Sequence, residues 1–217
     1  KPTSAPVLLA SHWMAGMATM PAIHFARELR VVRSIEIAAV MDPEDISGPM
    51  ANADVEQVMQ NSPRPLLLDN GTWRWAGDEL ATRRVKAMTG AEIDAQAMTV
   101  LDVLSLAAST DARSVRFDIG MAQTAGHRRT GVASHDMIIE IEGERKNGTS
   151  GRFRFEIQAP QGTAGLTALG VALGVERLLG LAGGLPVAPG LYFPELIIDP
   201  AHAVRRLTEF GGEVRES

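Results

Sequence analysis

The chain has 217 residues, of which 45% are hydrophobic, 22% are charged and none is cysteine. Its 21 Lys and Arg against 26 Asp and Glu leave a net charge of −5. That balance allows one sizeable core, excludes disulfides and thiolate chemistry, and argues against a nucleic-acid partner, because neutralising phosphates needs a basic field. No apolar run approaches the ~18 residues of a membrane span. The opening "KPTSAPVLLASHW" has no small-residue cleavage site, so neither a signal peptide nor a membrane partner is expected. A cytoplasmic location is the corresponding expectation.

In chain order, "APVLLAS" reads as a strand and "MPAIHFARELR" as a helix, with Ile23, Ala26, Leu29 and Arg30 at helical spacing. "RSIEIAAVMD" alternates and reads as a half-buried strand, and "PEDISGP" as a loop. A short helix is expected over 53–60. Asn70-Gly71 is a strong hairpin signal, with Trp73 and Trp75 on one face of the second strand. These tryptophans are expected to pack rather than bind. "ATRRVKAM" follows as a strand. "GAEIDAQAMTVLDVLSLAAS" reads as one long helix through Ile93, Ala97, Val100, Leu101, Leu104 and Ala108.

Three alternating strands come next, "RSVRFDIGMA", "HDMIIEIEGE" and "RFRFEIQA". Glu140 and Glu142 can pair with the arginines of the third, which favours an antiparallel ladder with one apolar and one wet face. The chain ends with a helix in "AGLTALGVALGVERLLG", a loop in "LAGGLPVAPGLYFPE" and an amphipathic helix in "DPAHAVRRLTEFGG", capped by Asp199 and Pro200. Helices and strands segregate, so the expected fold class is α+β, an antiparallel or mixed β-sheet with helices packed on one face.

The glycines of "GTAGLTALGVALG" suggest a nucleotide loop, but their spacing is wrong. Gly162, Gly165, Gly170 and Gly174 form neither G-x-G-x-x-G nor a P-loop. Glycine inside a helix costs about 0.5–1 kcal/mol relative to alanine. Gly170 and Gly174 are therefore expected to serve close packing of the helix on the sheet. Only the helix entry at Gly162-Thr163-Ala164 offers amides to an anion. No cofactor site is expected in this chain.

Candidate chemistry is sparse. His12 and Trp13 lie at a strand-to-helix turn, where binding groups collect. Arg128 and Arg129, after His127 in "TAGHRRTG", read either as a solvated basic loop or as a guanidinium fork for a substrate carboxylate. His24 reads as a core or boundary residue, His202 as solvated, and His135 and Asp136 as capping groups. No metal-ligand spacing and no nucleophile elbow occur, so no metal site is expected and no catalytic residue is assigned.

The order of "ASHWMAGMATMPA", "DNGTW", "GTAGLTALGVALGVERLLG", "PGLYFPE" and a final "LTEFGGEV" resembles the C-terminal, non-nucleotide half of the saccharopine dehydrogenase-like oxidoreductases. The resemblance implies a substrate-binding and dimerisation domain over 1–217, inactive alone. NAD or NADP would be held by a separate N-terminal Rossmann domain of a longer enzyme. It also implies an amino-acid-like small-molecule substrate, a homodimer, and a tail over 190–217 reaching toward that further domain. His12, Trp13, Arg128 and Arg129 are then the expected substrate contacts, on one rim. The alternative is a free-standing small-molecule binding or interaction module without enzymatic activity.

Overall fold

The computed structural model describes residues 4–45, 64–181 and 183–217, with a few isolated positions between 48 and 60. The short helix expected over 53–60 lies outside these continuous segments. Strand β1 (Pro6–Leu8) leads through a sharp turn at Trp13–Gly16 into helix α1 (Thr19–Ala26) and then β2 (Leu29–Met41). The hairpin β3 (Leu66–Asp69) and β4 (Thr72–Trp75) turns on Asn70 and Gly71, both at positive φ as a tight turn of this kind requires. A single helical turn, α2 (Asp78–Ala81), precedes β5 (Thr82–Lys86), β6 (Glu92–Ala97), α3 (Leu101–Ser109) and β7 (Ser114–Met121). Next come α4 (Ala125–Thr130), β8 (His135–Arg145), β9 (Ser150–Ala159) and α5 (Gly162–Leu178). The chain closes with β10 (Gly190–Tyr192), α6 (Pro194–Ile197), α7 (Pro200–Glu209) and β11 (Glu213–Glu216).

The fold is α+β, built on a mixed sheet of nine strands. Its centre is β2, parallel to β7 and antiparallel to β8. The ladder continues through β9 to β11 on one side. On the other side β7 takes β3 near its start and β6 near its end. Glu140 faces Arg154 and Glu142 faces Arg152 across the β8–β9 ladder, as their charges favour. A separate parallel pair joins β1 to β10.

The helices gather over the apolar sheet face. There Ile35, Ile37, Phe117, Ile139, Phe155 and Ile157 pack with Met20, Phe25, Leu106, Leu166, Leu169 and Leu207. Phe25 of α1 stacks on Phe155 at 4.2 Å between ring centroids. The opposite face is charged but cross-linked. Arg83 binds Glu36 and Asp118, Arg152 binds Glu36, and Arg154 and Arg215 both bind Glu156.

Several local expectations give way to tertiary context. Residues 92–97 form β6, not the start of a long helix. Their alternation, with Ala95 and Ala97 inward and Asp94 and Gln96 outward, fits the gap beside β7. Only 101–109 is helical, and there Val103 and Leu106 are buried while Leu104 is exposed. Helix α1 ends at Ala26, so Leu29 and Arg30 belong to β2. The strand over 34–41 is covered on both faces, because Ala38 and Val40 pack against Val85 and Ala95 of the β5–β6 hairpin. Trp73 and Trp75 are exposed by 45% and 64% on the edge strand. Within this chain the segment 190–217 is well seated: β10 pairs with β1, Ala203 and Leu207 are fully buried, and β11 extends β9.

Candidate functional site

The carboxyl ends of the parallel pair β2 and β7 meet the start of β8, the end of β9 and the start of α5. In α/β sheets such strand ends are where ligands collect. Asp42 follows β2 and is buried. Its Oδ2 accepts hydrogen bonds from the Thr124 amide at 2.8 Å, the Thr124 hydroxyl at 3.0 Å and His127 Nδ1 at 2.9 Å. Burial opposes ionisation of Asp42, but hydrogen bonds from Thr124, Glu44 and His127 prevail and hold its carboxyl below the usual range. With Nδ1 donating to Asp42, His127 presents Nε2 outward, 3.8 Å from Glu44. A histidine held this way by a carboxylate can accept or give a proton at its outer nitrogen.

Helix α4 carries His127, Arg128 and Arg129, so "TAGHRRTG" is a capped helical turn rather than an open loop. Thr124 is its N-cap, and Gly131 at φ 76 closes it. The Ala125 amide donates to Asp136 Oδ2 at 2.7 Å, and Ser134 donates to Asp136 Oδ1. Burial pushes the Asp136 carboxyl up. Arg129 forms a two-pronged pair with Glu213 of β11 and a 2.7 Å bond to Gln158. Arg128 is exposed and has no side-chain partner among the described residues.

A second chain of polar groups runs along the other side of β8. The indole Nε1 of Trp13 lies 3.2 Å from His135 Nε2, and His135 Nδ1 lies 3.2 Å from Thr163 Oγ1. An indole nitrogen only donates, so His135 Nε2 must accept. His135 is therefore neutral, with its proton on Nδ1 directed to Thr163. Thr163 in turn donates to Asp45 Oδ2 at 2.6 Å. Burial lowers the His135 pKa to about 4, in agreement with that assignment. The Thr163 amide also donates to Asp45, at 2.8 Å.

Asp45 therefore fills the anion position at the start of α5. A phosphate at that one position would meet a carboxylate. The interior glycines do serve close approach, but to a different neighbour than expected. A Cβ on Gly170 would lie 2.6 Å from the Met14 carbonyl oxygen, and one on Gly174 would strike Leu8 of β1. At these glycines the helix meets the Trp13–Gly16 turn and the small β-pair, while Leu166 and Leu169 pack on the main sheet.

That turn is conformationally costly. Met14 and Ala15 lie at φ 50 and 53, and Gly16 at φ 95. Such angles in two non-glycine residues need support from their surroundings. Asp102 supplies part of it, accepting the Trp13 amide at 2.7 Å and the Thr19 hydroxyl at 2.6 Å. Burial raises the Asp102 pKa, partly offset by His12 and these two bonds. His12 itself is sealed, with Nε2 2.7 Å from Ser105 Oγ.

Of the residues singled out in the sequence, Trp13 and the pair Arg128–Arg129 thus flank the same end of β8, on opposite sides of His135 and Asp136. His12 is buried against Ser105 and Phe193. Sequence reasoning missed Asp42, Asp45, His135, Asp136 and Thr163 as members of this rim. The acidic cluster in "MDPED", directly after an apolar strand, was the available signal. Among the described residues no group of three or more His, Asp or Glu could hold a metal, and no helix is long and apolar enough to cross a membrane.

No model of a known protein family matches the chain. No curated protein matches it by sequence. A solved structure of the saccharopine dehydrogenase (L-Glu forming) of Saccharomyces cerevisiae is similar in fold. The TM-score is 0.64 at 10% sequence identity, over 99% of this chain and 74% of that one. The likeness is to a distant saccharopine dehydrogenase-like fold.

Proposed function

We propose that the chain is the substrate-binding and dimerisation domain of an NAD(P)-dependent oxidoreductase of the saccharopine dehydrogenase-like kind, inactive by itself. The observation that carries this reading is the fold likeness over 99% of the chain. Polar groups converging at one end of the sheet support it. On this reading the substrate is a small amino-acid-like molecule lying across the start of β8. Arg128 takes its carboxylate, Arg129 and the Trp13 indole border the site, and His12 holds the Trp13 turn. The outer nitrogen of His127 gives or takes a proton. The nicotinamide nucleotide is supplied with another domain, since Asp45 blocks the anion position here, and the protein works in the cytoplasm.

Calorimetric titration of this chain with NAD and NADP is expected to show no binding, and micromolar binding of either would overturn the assignment of the nucleotide to another domain. In the full gene product, Arg128→Ala is expected to weaken substrate use roughly 10- to 100-fold, the value of a charge-assisted contact, with nucleotide affinity unchanged. Wild-type kinetics in that variant would remove Arg128 from the site. Self-association belongs to the same reading. Trp73 and Trp75 lie exposed on the edge strand β4, and an open strand edge invites a partner. Sedimentation should show a dimer at tens of micromolar, about the level where weak interfaces fill, and a monomer there would count against it.

A further inference from the structure

We propose that the outer face of α5 is where two copies of this chain meet, with the two helices antiparallel about a two-fold axis. The inference goes beyond the function proposed above and uses a different surface from the β4 edge. Its starting point is the sequence of the helix. From Gly162 to Val175 no residue is charged, and a helix that is apolar on all sides is one that is buried on all sides. In this chain α5 is buried on one side only. Leu166, Leu169 and Leu173 enter the core, while Ala164, Ala168, Val171, Ala172, Val175 and Leu179 are exposed.

Those six residues occupy one arc of about 100° around the helix axis. Val171, Val175 and Leu179 are exposed by 45%, 44% and 58%. Polar groups border the arc and do not interrupt it. Thr167, bonded to the Thr163 carbonyl, lies on one side, and Glu176, held by Arg206, on the other. With the exposed Leu181 just past the helix end, the face presents on the order of 600 Å² per copy, the lower end of what one partner gives to a stable interface.

The order of the side chains selects a second copy as the occupant. A two-fold axis passing between Val171 and Ala172 sets Ala164 opposite Leu179 of the partner subunit. The same axis sets Ala168 opposite Val175 of the partner subunit, and Val171 opposite Ala172 of the partner subunit. Every small residue thus meets a large one, and the helices can run side by side at an even spacing of about 8–10 Å. One patch serves both copies, as a closed two-fold dimer requires. No charge on the face opposes its own image, although the whole chain carries −5. The pairing also lays Leu179 of the partner subunit over Ala164, next to Thr163, which belongs to the polar chain of Asp45 and His135. The second copy therefore borders the rim at the start of β8.

Sedimentation and cross-linking of the purified chain test this together. A dimer is expected at tens of micromolar. Val175→Glu sets a carboxylate against Ala168 of the partner subunit and should weaken association about tenfold or more, because an unpaired charge would have to be buried. The chain has no cysteine, so single cysteines report the register directly, and they do so even if Val175→Glu does not fold. When the Ala168→Cys and Val175→Cys chains are mixed and mildly oxidised, the disulfide should join one variant to the other in preference to either with itself. Opposite positions lie within disulfide reach, whereas like positions are about 10 Å apart along the axis. Adding Trp75→Ser to both chains, at the β4 edge, should leave that preference unchanged. A monomeric native chain, undiminished association of Val175→Glu, no preference for the mixed disulfide, or its loss with Trp75→Ser would each overturn the proposal.

Discussion

At the scale of single residues, His135 shows how a polar chain fixes a protonation state. Its two ring nitrogens are committed, one accepting from Trp13 and the other donating to Thr163. Protonation would set a second N–H against the indole N–H. The folded pKa is about 4, against 6.5 for a free histidine. Between those values the unfolded chain binds the proton more readily, so stability is fully present above pH 6.5 and is lost as pH falls toward 4. The full effect is about 3 kcal/mol, of which about 2 kcal/mol should disappear between pH 7 and pH 5. Urea unfolding at the two pH values should show this loss in the native chain but not in His135→Asn. The raised carboxyls of Asp102 and Asp136 act in the opposite direction, since their contribution is lost as pH rises, but they are common to both proteins and drop out of the comparison. Equal pH dependence in the two would mean that His135 is not held neutral. None of this was legible in the sequence, where His135 and Asp136 read as the start of a strand. The polar chain through His135 is completed by Trp13, Asp45 and Thr163, which lie far away in the sequence.

At the scale of elements, legibility followed the range of the forces that form each one. The Asn70-Gly71 hairpin, the β8–β9 ladder and the capped helix α7 were readable because their signals are local: a turn dipeptide, alternating charge, an Asp-Pro start. The segment 90–109 was misread because apolar residues at helical spacing also contain a strand's alternation, and only the vacant flank of β7 decides between them. Helix α5 stands between these cases. Its glycines were readable as packing devices, but not the turn they accommodate. At Gly170 a Cβ would meet the Met14 carbonyl at 2.6 Å and Ala15 at 2.9 Å, and that backbone is already strained. Gly170→Ala gains about 1 kcal/mol in helix propensity. Overpacking against a fixed backbone costs about 1–3 kcal/mol. Net destabilisation is expected, read as a lower midpoint in thermal unfolding, together with a change in Trp13 fluorescence as the turn shifts. Gly174→Ala should be milder, because its obstacle is the end of the flexible Leu8 side chain. A stabilised Gly170→Ala protein would mean that the turn yields easily and that the helix does not hold it in place.

At the scale of the whole molecule, the question is whether the last residues belong to this core or to a neighbour. The sequence suggested a tail over 190–217 that packs on a further domain. In the structure it closes three separate parts of the fold. β10 pairs with β1 beneath the Trp13 turn. α7 places Ala203 and Leu207 in the main core, both fully buried. β11 covers the outer edge of β9, tied by Arg129 to Glu213, Arg145 to Glu216 and Arg215 to Glu156. These contributions differ in kind. Removing α7 opens the core over α1 and exposes Met20, Phe25 and their neighbours, and losing a single large buried side chain already costs about 2–5 kcal/mol. Total stability for a domain is about 5–15 kcal/mol. A chain ending at Asp199 should therefore fail to fold cooperatively, losing its sharp thermal transition and binding dyes specific for exposed apolar surface. A chain ending at Gly212 loses only an edge strand: the exposed pair Arg129–Glu213 is worth about 0–1 kcal/mol, and the buried Glu156 keeps Arg154 as a partner when Arg215 is gone. It should fold with a lowered midpoint and keep one transition. The reverse ranking, with the shorter truncation more damaging, would place the decisive interactions in β11. If both truncated chains kept the native midpoint, the tail would be an appendage and the reading of 190–217 as part of this core would be wrong.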